Sequence, residues 1–111
     1  MKKFLLIYHS PKEAIERFMS MSEEESKKMM EVWTKWGEEN KDALVDFGNP
    51  VGTQHVVSLS DVKEEGDDVT GYSIIQANDL DGAKKMLENH PSLIDDDGST
   101  VSLYPITEME M

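Results

Sequence analysis

Three histidines, three tyrosines and two tryptophans carry most of the chemistry open to this chain of 111 residues. His9, His55 and His90 stand far apart, without the HxH, HxxxH or HExxH spacing that turns two imidazoles toward one ion, so no metal site is expected. Cysteine is absent, which excludes disulfides, thiolate ligands and thiol nucleophiles together. No GxSxG elbow, Walker loop or GxGxxG turn occurs, so neither nucleotide chemistry nor a bound cofactor is expected. Heme ligation would have to rely on the same separated histidines. Asp95-Asp96-Asp97-Gly98 shares the acidity of a calcium loop but neither its alternating spacing nor its distal glutamate, and reads as a polar turn.

Acid/base chemistry remains. His90 falls at the C-terminal end of a helical segment, where the dipole favours an imidazolium, and Asp46 lies in a short β-like run near the end of another helix. Either the two meet as an acid/base pair, or His90 caps helix carbonyls while Asp46 answers a nearby amide or lysine. His9, at the end of the first strand, is a further polar candidate. Trp33 and Trp36 share one helical face with Met29 and Val32. They fill the core if helix and sheet close together. Otherwise, with Tyr8 or Tyr72, they wall a pocket for a small aromatic or apolar ligand.

These residues depend on a simple order of elements. Residues 3–9 form a continuous apolar run with Phe4, Leu6 and Tyr8 on one face and Leu5 and Ile7 on the other, the pattern of a strand covered on both sides. Pro11 ends it, and residues 12–21 can hold a short helical turn. Ser22 followed by Glu25 is a capping box that opens a long helix, weakened near its end by Gly37. Leu44 to Phe47 is β-like, Gly48-Asn49-Pro50 is turn chemistry, and QHVVSLS over 54–60 reads as the second strand of the sheet. The acidic stretch 61–70 reads as a solvated hairpin loop before the third strand, GYSIIQA. Asn78 or Asp79 caps a second helix that carries Leu80, Ala83, Leu87 and His90 on one face and stops at Pro91. Residues 100–106 alternate as a last strand before a short tail.

The order strand, helix, strand, strand, helix, strand gives an α+β fold: a ferredoxin-like βαββαβ protomer, an antiparallel sheet with two helices on one face, in a single domain over 1–111. The other sheet face is left open although its strands carry apolar groups there. A homodimer that stacks two such faces is the expected remedy.

The formal charge is −12, from 23 acidic against 11 basic residues, so nucleic acid and anionic membranes are poor partners. No stretch approaches the ~20 apolar residues that span a bilayer. The opening KKFLLIY stops too early, at Tyr8, for a signal peptide and lacks a small-residue cleavage site, which points to the cytoplasm.

Taken in order, KKFLLIY, the W-x-x-W helix, LVDFGNPVG, QHVVSLS, GYSIIQANDLDGAKKMLENHPSL and VSLYPITEMEM resemble the YCII-related proteins, relatives of the DGPF-domain group, over almost the whole chain. The resemblance implies a dimeric α/β barrel of ferredoxin-like protomers and, by superfamily analogy alone, chemistry on a small organic molecule. Asp67-Asp68-Val69-Thr70 stands where the DGPF signature falls, and the first helix holds no histidine, so no catalytic residue is carried over.

Two functional readings follow. In one, a homodimer binds a small organic ligand in a cavity between sheet and helices, with acid/base chemistry from His90 or His9 and Asp46. In the other, the chain is a non-catalytic dimeric binding or regulatory module. A filled core beneath Trp33 and Trp36 favours the second; an open pocket reached by His90 or Asp46 favours the first.

Overall fold

The computed structural model describes residues 1–94 and 98–107. The expected turn at 95–97 and the tail at 108–111 lie outside the described residues. Its frame is the central strand β1 (Lys2–His9), which pairs antiparallel on one side with β5 (Val69–Ala77) and on the other with β6 (Thr100–Pro105). The short strand β2 (Leu44–Asp46) adds to the outer side of β5, giving a four-stranded antiparallel sheet in the order β2-β5-β1-β6.

Strand alternation sends Phe4, Leu6 and Tyr8 of β1 and Ser73, Ile75 and Ala77 of β5 to the same buried face. Two helices cover it. The first is α2 (Glu23–Glu39), capped at Ser22, whose hydroxyl accepts from Glu25 N–H at 3.2 Å as the Ser-x-x-Glu spacing requires. It lays Trp36 into the core, with Trp33 half-buried beside it, whereas Val32 from the expected stripe points to solvent. The second is α3 (Leu80–Met86), capped by Asp79 through Gly82 N–H at 2.8 Å; it contributes Ala83, and Met86 and Leu87 pack at its end.

Gly37 does not stop α2. An added Cβ there would come 2.7 Å from Cε2 of Phe47, so the glycine lets that ring lie against the helix backbone. Gly48 has φ +83°, and a Cβ on it would come 1.6 Å from the Tyr72 carbonyl oxygen; the turn expected at 48–50 needs glycine for both reasons.

Several expectations are corrected. The second strand of the main sheet is β2, not residues 54–60. His55–Val57 (β3) instead pairs with Val62–Glu64 (β4), which interrupts the expected acidic loop, and the two form a separate hairpin exposed throughout. A short hairpin with too little apolar area to bury cannot displace β2, which is held by the Gly48 turn against β5. The segment 12–21 is a true helix, α1 (Lys12–Met19). The second long helix ends at Met86 rather than at Pro91, and Pro91 instead opens a short helix, α4 (Pro91–Ile94), consistent with proline's preference for the first helical position. There are thus four helices among the described residues rather than two. None is long and apolar enough to cross a membrane.

The radius of gyration is 15.6 Å and the extents are 47 × 45 × 19 Å. A compact chain of this length would measure about 13 Å. The excess reflects a thin two-layer body with an uncovered sheet face and a projecting hairpin.

Candidate functional site

The strand β1 supplies polar side chains to both sheet faces, Tyr8 inward and His9 outward, and each nucleates a hydrogen-bonded constellation. The inward one gathers residues expected to line a ligand pocket. Rings of Tyr8 and Trp33 lie 5.5 Å apart, Trp33 and Trp36 6.4 Å, and His90 sits 4.5 Å from Trp36 and 5.0 Å from both Trp33 and Tyr8. Phe47, not foreseen in this role, closes the group at 6.1 Å from Trp33 and 6.4 Å from Trp36. Tyr72 does not join them: it pairs with Ile7 and projects from the opposite face.

His90 is wholly enclosed and ordered at both nitrogens. Its Nδ1 accepts from Ser92 N–H at 3.0 Å, a capping contact at the start of α4, so Nε2 carries the proton and donates to Tyr8 Oη at 3.1 Å. Tyr8 donates in turn to Ser73 Oγ at 2.6 Å, and Ser73 donates to the Phe47 carbonyl at 2.6 Å. The chain of donors ends on backbone, and no buried side-chain nitrogen or oxygen among the described residues lacks a partner.

Burial pushes His90 down to about 4 and Tyr8 up to about 12, the latter against the lowering effect of the Ser73 hydrogen bond. Both are therefore neutral near pH 7, and neither is matched to proton transfer there. The expected imidazolium at a helix C-terminus is replaced by a neutral imidazole at the start of the next helix, because α3 ends four residues earlier than Pro91 implied.

Asp46 is exposed and its Oδ1 accepts from Gly48 N–H at 2.9 Å. It shares no hydrogen bond with His90, so the acid/base pair read from the sequence does not form. The space between helices and sheet is occupied by the rings themselves.

The outward constellation is different in kind. His9 Nδ1 lies 2.8 Å from Asp68 Oδ1 and His9 Nε2 lies 2.8 Å from Ser102 Oγ. The His9 hydrogen bond holds the Asp68 carboxyl below its usual range, so this group is an anionic acceptor at neutral pH. His9 accordingly donates from Nδ1, which leaves the Nε2 lone pair facing the Ser102 hydroxyl. The His9 side chain is 21% exposed and Asp68 61%, so solvent and solutes reach the group.

Local strand geometry brings these residues together. Pairing runs Tyr8 with Gly71 and then His9 with Val69, so Thr70 is an extra residue on β5 and the ladder is bulged at His9. The bulge sets Asp68 beside the imidazole. Ser102, register partner of Ile7, lies diagonally across from His9 on the same face. Two open clefts border neighbouring residues: one of about 500 Å³ lined by Ser10, Lys12 and Asp68, and one of about 470 Å³ lined by Ile7, Val51, His55 and Val69; His9 and Ser102 line neither. Asp67 lines both.

Of the sequence candidates, then, Tyr8, Trp33, Trp36 and His90 converge in the core, His9 stands in an accessible site, His55 borders the second cleft, and Asp46 and Tyr72 take part in neither. Sequence reasoning passed over Ser102 and Asp68. The alternation of residues 100–106 places Ser102 on the open face, but only the bulge at Thr70, which has no local signature, delivers Asp68. No group of three or more metal-ligating side chains occurs among the described residues. A scan against protein-family models and a search of curated proteins each find no match to this chain.

Proposed function

We propose that the chain is a ferredoxin-like, YCII-related protomer that pairs with a second copy through its open sheet face and acts on a small organic molecule by acid/base chemistry at His9. The strand order β2-β5-β1-β6, antiparallel throughout with α2 and α3 on one face, supports the ferredoxin-like reading. Pairing is supported by the outward residues Leu5, Ile7, Tyr72, Ile74 and Tyr104, an uncharged patch on a body only 19 Å thick. It is a patch on which two acidic chains can meet without opposing charges. His9 lies at the end of this face beside the Asp68 loop, so a pair formed over Leu5, Ile74 and Tyr104, which share one row of the sheet, keeps the site at its rim.

The observation that carries the chemical reading is the imidazole held at 2.8 Å from an anionic carboxylate on one nitrogen, with its other nitrogen turned to a partly exposed face. That is the arrangement of an oriented general base. A generic probe tests it: elimination of 5-nitrobenzisoxazole, in which a base removes one proton and a coloured phenolate forms. The native protein should accelerate the reaction above buffer, and His9→Ala should remove about 10²-fold or more of that acceleration. Equal rates for native protein and His9→Ala would overturn the reading. For the pair, light scattering should find dimers, and Leu5→Glu should give monomers; a native protein that is monomeric at tens of micromolar removes the pairing.

The filled core beneath Trp33 and Trp36 favours a second reading, a dimeric module without chemistry. It is the reading that remains if His9 proves inert.

A further inference from the structure

We propose that Ser102 is a nucleophile and that Asp68, His9 and Ser102 form an acyl-transfer site for small neutral carboxylic esters. The inference rests on the reading of His9 as a base and adds a covalent step to it.

Three observations converge. The first is order: carboxylate to Nδ1 and Nε2 to hydroxyl, each at 2.8 Å, is the nucleophile, base and orienting group in hydrogen-bonded sequence. Such a set is recognised by geometry and not by its order along the chain. The second is placement. His9 and Ser102 project from paired strands of a rigid sheet, and the bulge at Thr70 re-aims the backbone so that Asp68 meets the imidazole. The third is room. The cleft bordered by Ile7, the register partner of Ser102, carries Val51 and Val69 together with Thr53, Gln54, His55 and Asp67, and no lysine or arginine. A small uncharged ester suits that mixed lining, and its Asp67, with the chain's excess of acidic side chains, disfavours anionic esters.

In the step itself, Ser102 Oγ bonds to the ester carbonyl carbon as its proton passes to His9 Nε2. The tetrahedral oxyanion collapses, the bond from carbon to the alcohol oxygen breaks, and the alcohol leaves with the proton from Nε2. Water then attacks the acyl-serine, giving its proton to His9 as Oγ departs and recovers one. Ester and water become acid and alcohol, with no oxidant or reductant. Among the described residues β6 is an edge strand, so alternate backbone N–H groups along its outer side have no ladder partner and are the donors the proposal assigns to the oxyanion. Asp68 is a positioning residue: it holds Nδ1–H and so keeps the Nε2 lone pair on Ser102.

The test uses the full chain, a fluorophosphonate probe and p-nitrophenyl acetate. The native protein should take one phosphonyl group per chain, mapped by peptide mass to Ser102, and should release p-nitrophenol in a burst of about one equivalent. Ser102→Ala should lose both. His9→Gln should slow labelling about 10²-fold or more, and Asp68→Asn should reduce turnover while shifting the ¹⁵N signature of His9 away from the Nδ1–H tautomer. Absence of label on Ser102 in the native protein, or label on Ser10 or Ser99 instead, overturns the proposal. If Ser102→Ala retains full esterase turnover while His9→Ala abolishes 5-nitrobenzisoxazole elimination, the nucleophile is refuted and the base survives. If His9 affects neither reaction, both fail.

Discussion

The enclosed histidine makes acid stability a direct measure of the inner network. His90 in the folded chain is held down to about 4, whereas in the unfolded chain it returns to its ordinary value near 6.5. Its folded value is depressed, so the unfolded chain binds more protons between these limits and stability falls as pH drops through them. The contribution is fully present above about pH 6.5 and lost below about pH 4. With roughly 1.4 kcal/mol per pH unit, it amounts to about 3 kcal/mol in all, of which about 2 kcal/mol is gone by pH 5. For a urea slope of 1–2 kcal/mol/M, that is a fall in midpoint of about 1–2 M between pH 7.5 and pH 5.

Urea titrations followed by the fluorescence of Trp33 and Trp36, both in ring contact with His90, would read the transition at one fixed protein concentration. His90→Gln supplies the reference, because it removes this titration and leaves every other group. The difference between native protein and variant should shrink by about 2 kcal/mol on going from pH 7.5 to pH 5. A difference that does not change with pH would refute the argument that His90 is neutral and enclosed.

The alkaline side offers the converse measurement. Tyr8 is raised from 10 to about 12, so its contribution is intact below pH 10 and lost as pH climbs through 12; native protein should lose roughly 2–3 kcal/mol more than Tyr8→Phe over that interval, read by chemical denaturation at each pH. Gly48→Ala should cost about 2 kcal/mol or more, since it strains a backbone at φ +83° and drives a Cβ into the Tyr72 carbonyl; an unchanged thermal midpoint would contradict the turn geometry. Asp79→Ala should cost about 1 kcal/mol by removing the cap on Gly82 N–H, and Asp79→Asn much less, checked by the same denaturation curves.

The parts of this fold that were legible in the sequence are those set by local rules. The Ser22 and Asp79 caps, the two faces of β1 and the Gly48 turn each follow from a few neighbouring residues. The errors arise where a choice between segments is tertiary. Both Leu44–Asp46 and His55–Val57 are β-like, and nothing local says which one β5 accepts; the answer depends on Gly48 fitting under the Tyr72 carbonyl. Pro91 illustrates a different ambiguity, because proline both ends one helix and opens another. Reading it as an end placed His90 at a helix C-terminus and charged; reading it as a start makes the imidazole an acceptor for Ser92 N–H.

His9 and His90 then show how one side-chain type is given two tasks by exposure and partners. His90 sees Trp33, Trp36 and Tyr8, and its two nitrogens are committed to Ser92 and Tyr8 in a chain that ends on the Phe47 carbonyl. A proton added there finds no acceptor and no contact with solvent, since the ring is wholly enclosed, so the network orders the core and costs stability in acid. His9 differs by one position in the alternation of β1. It faces away from the helices, has an anionic carboxylate on one nitrogen and a hydroxyl on the other, and is reached by solvent. Its partners are a carboxylate that solvent reaches and a side-chain hydroxyl on the next strand. The inner network is closed at both ends and the outer one is open at the serine, which is why the test for chemistry belongs on the sheet face that the helices leave bare.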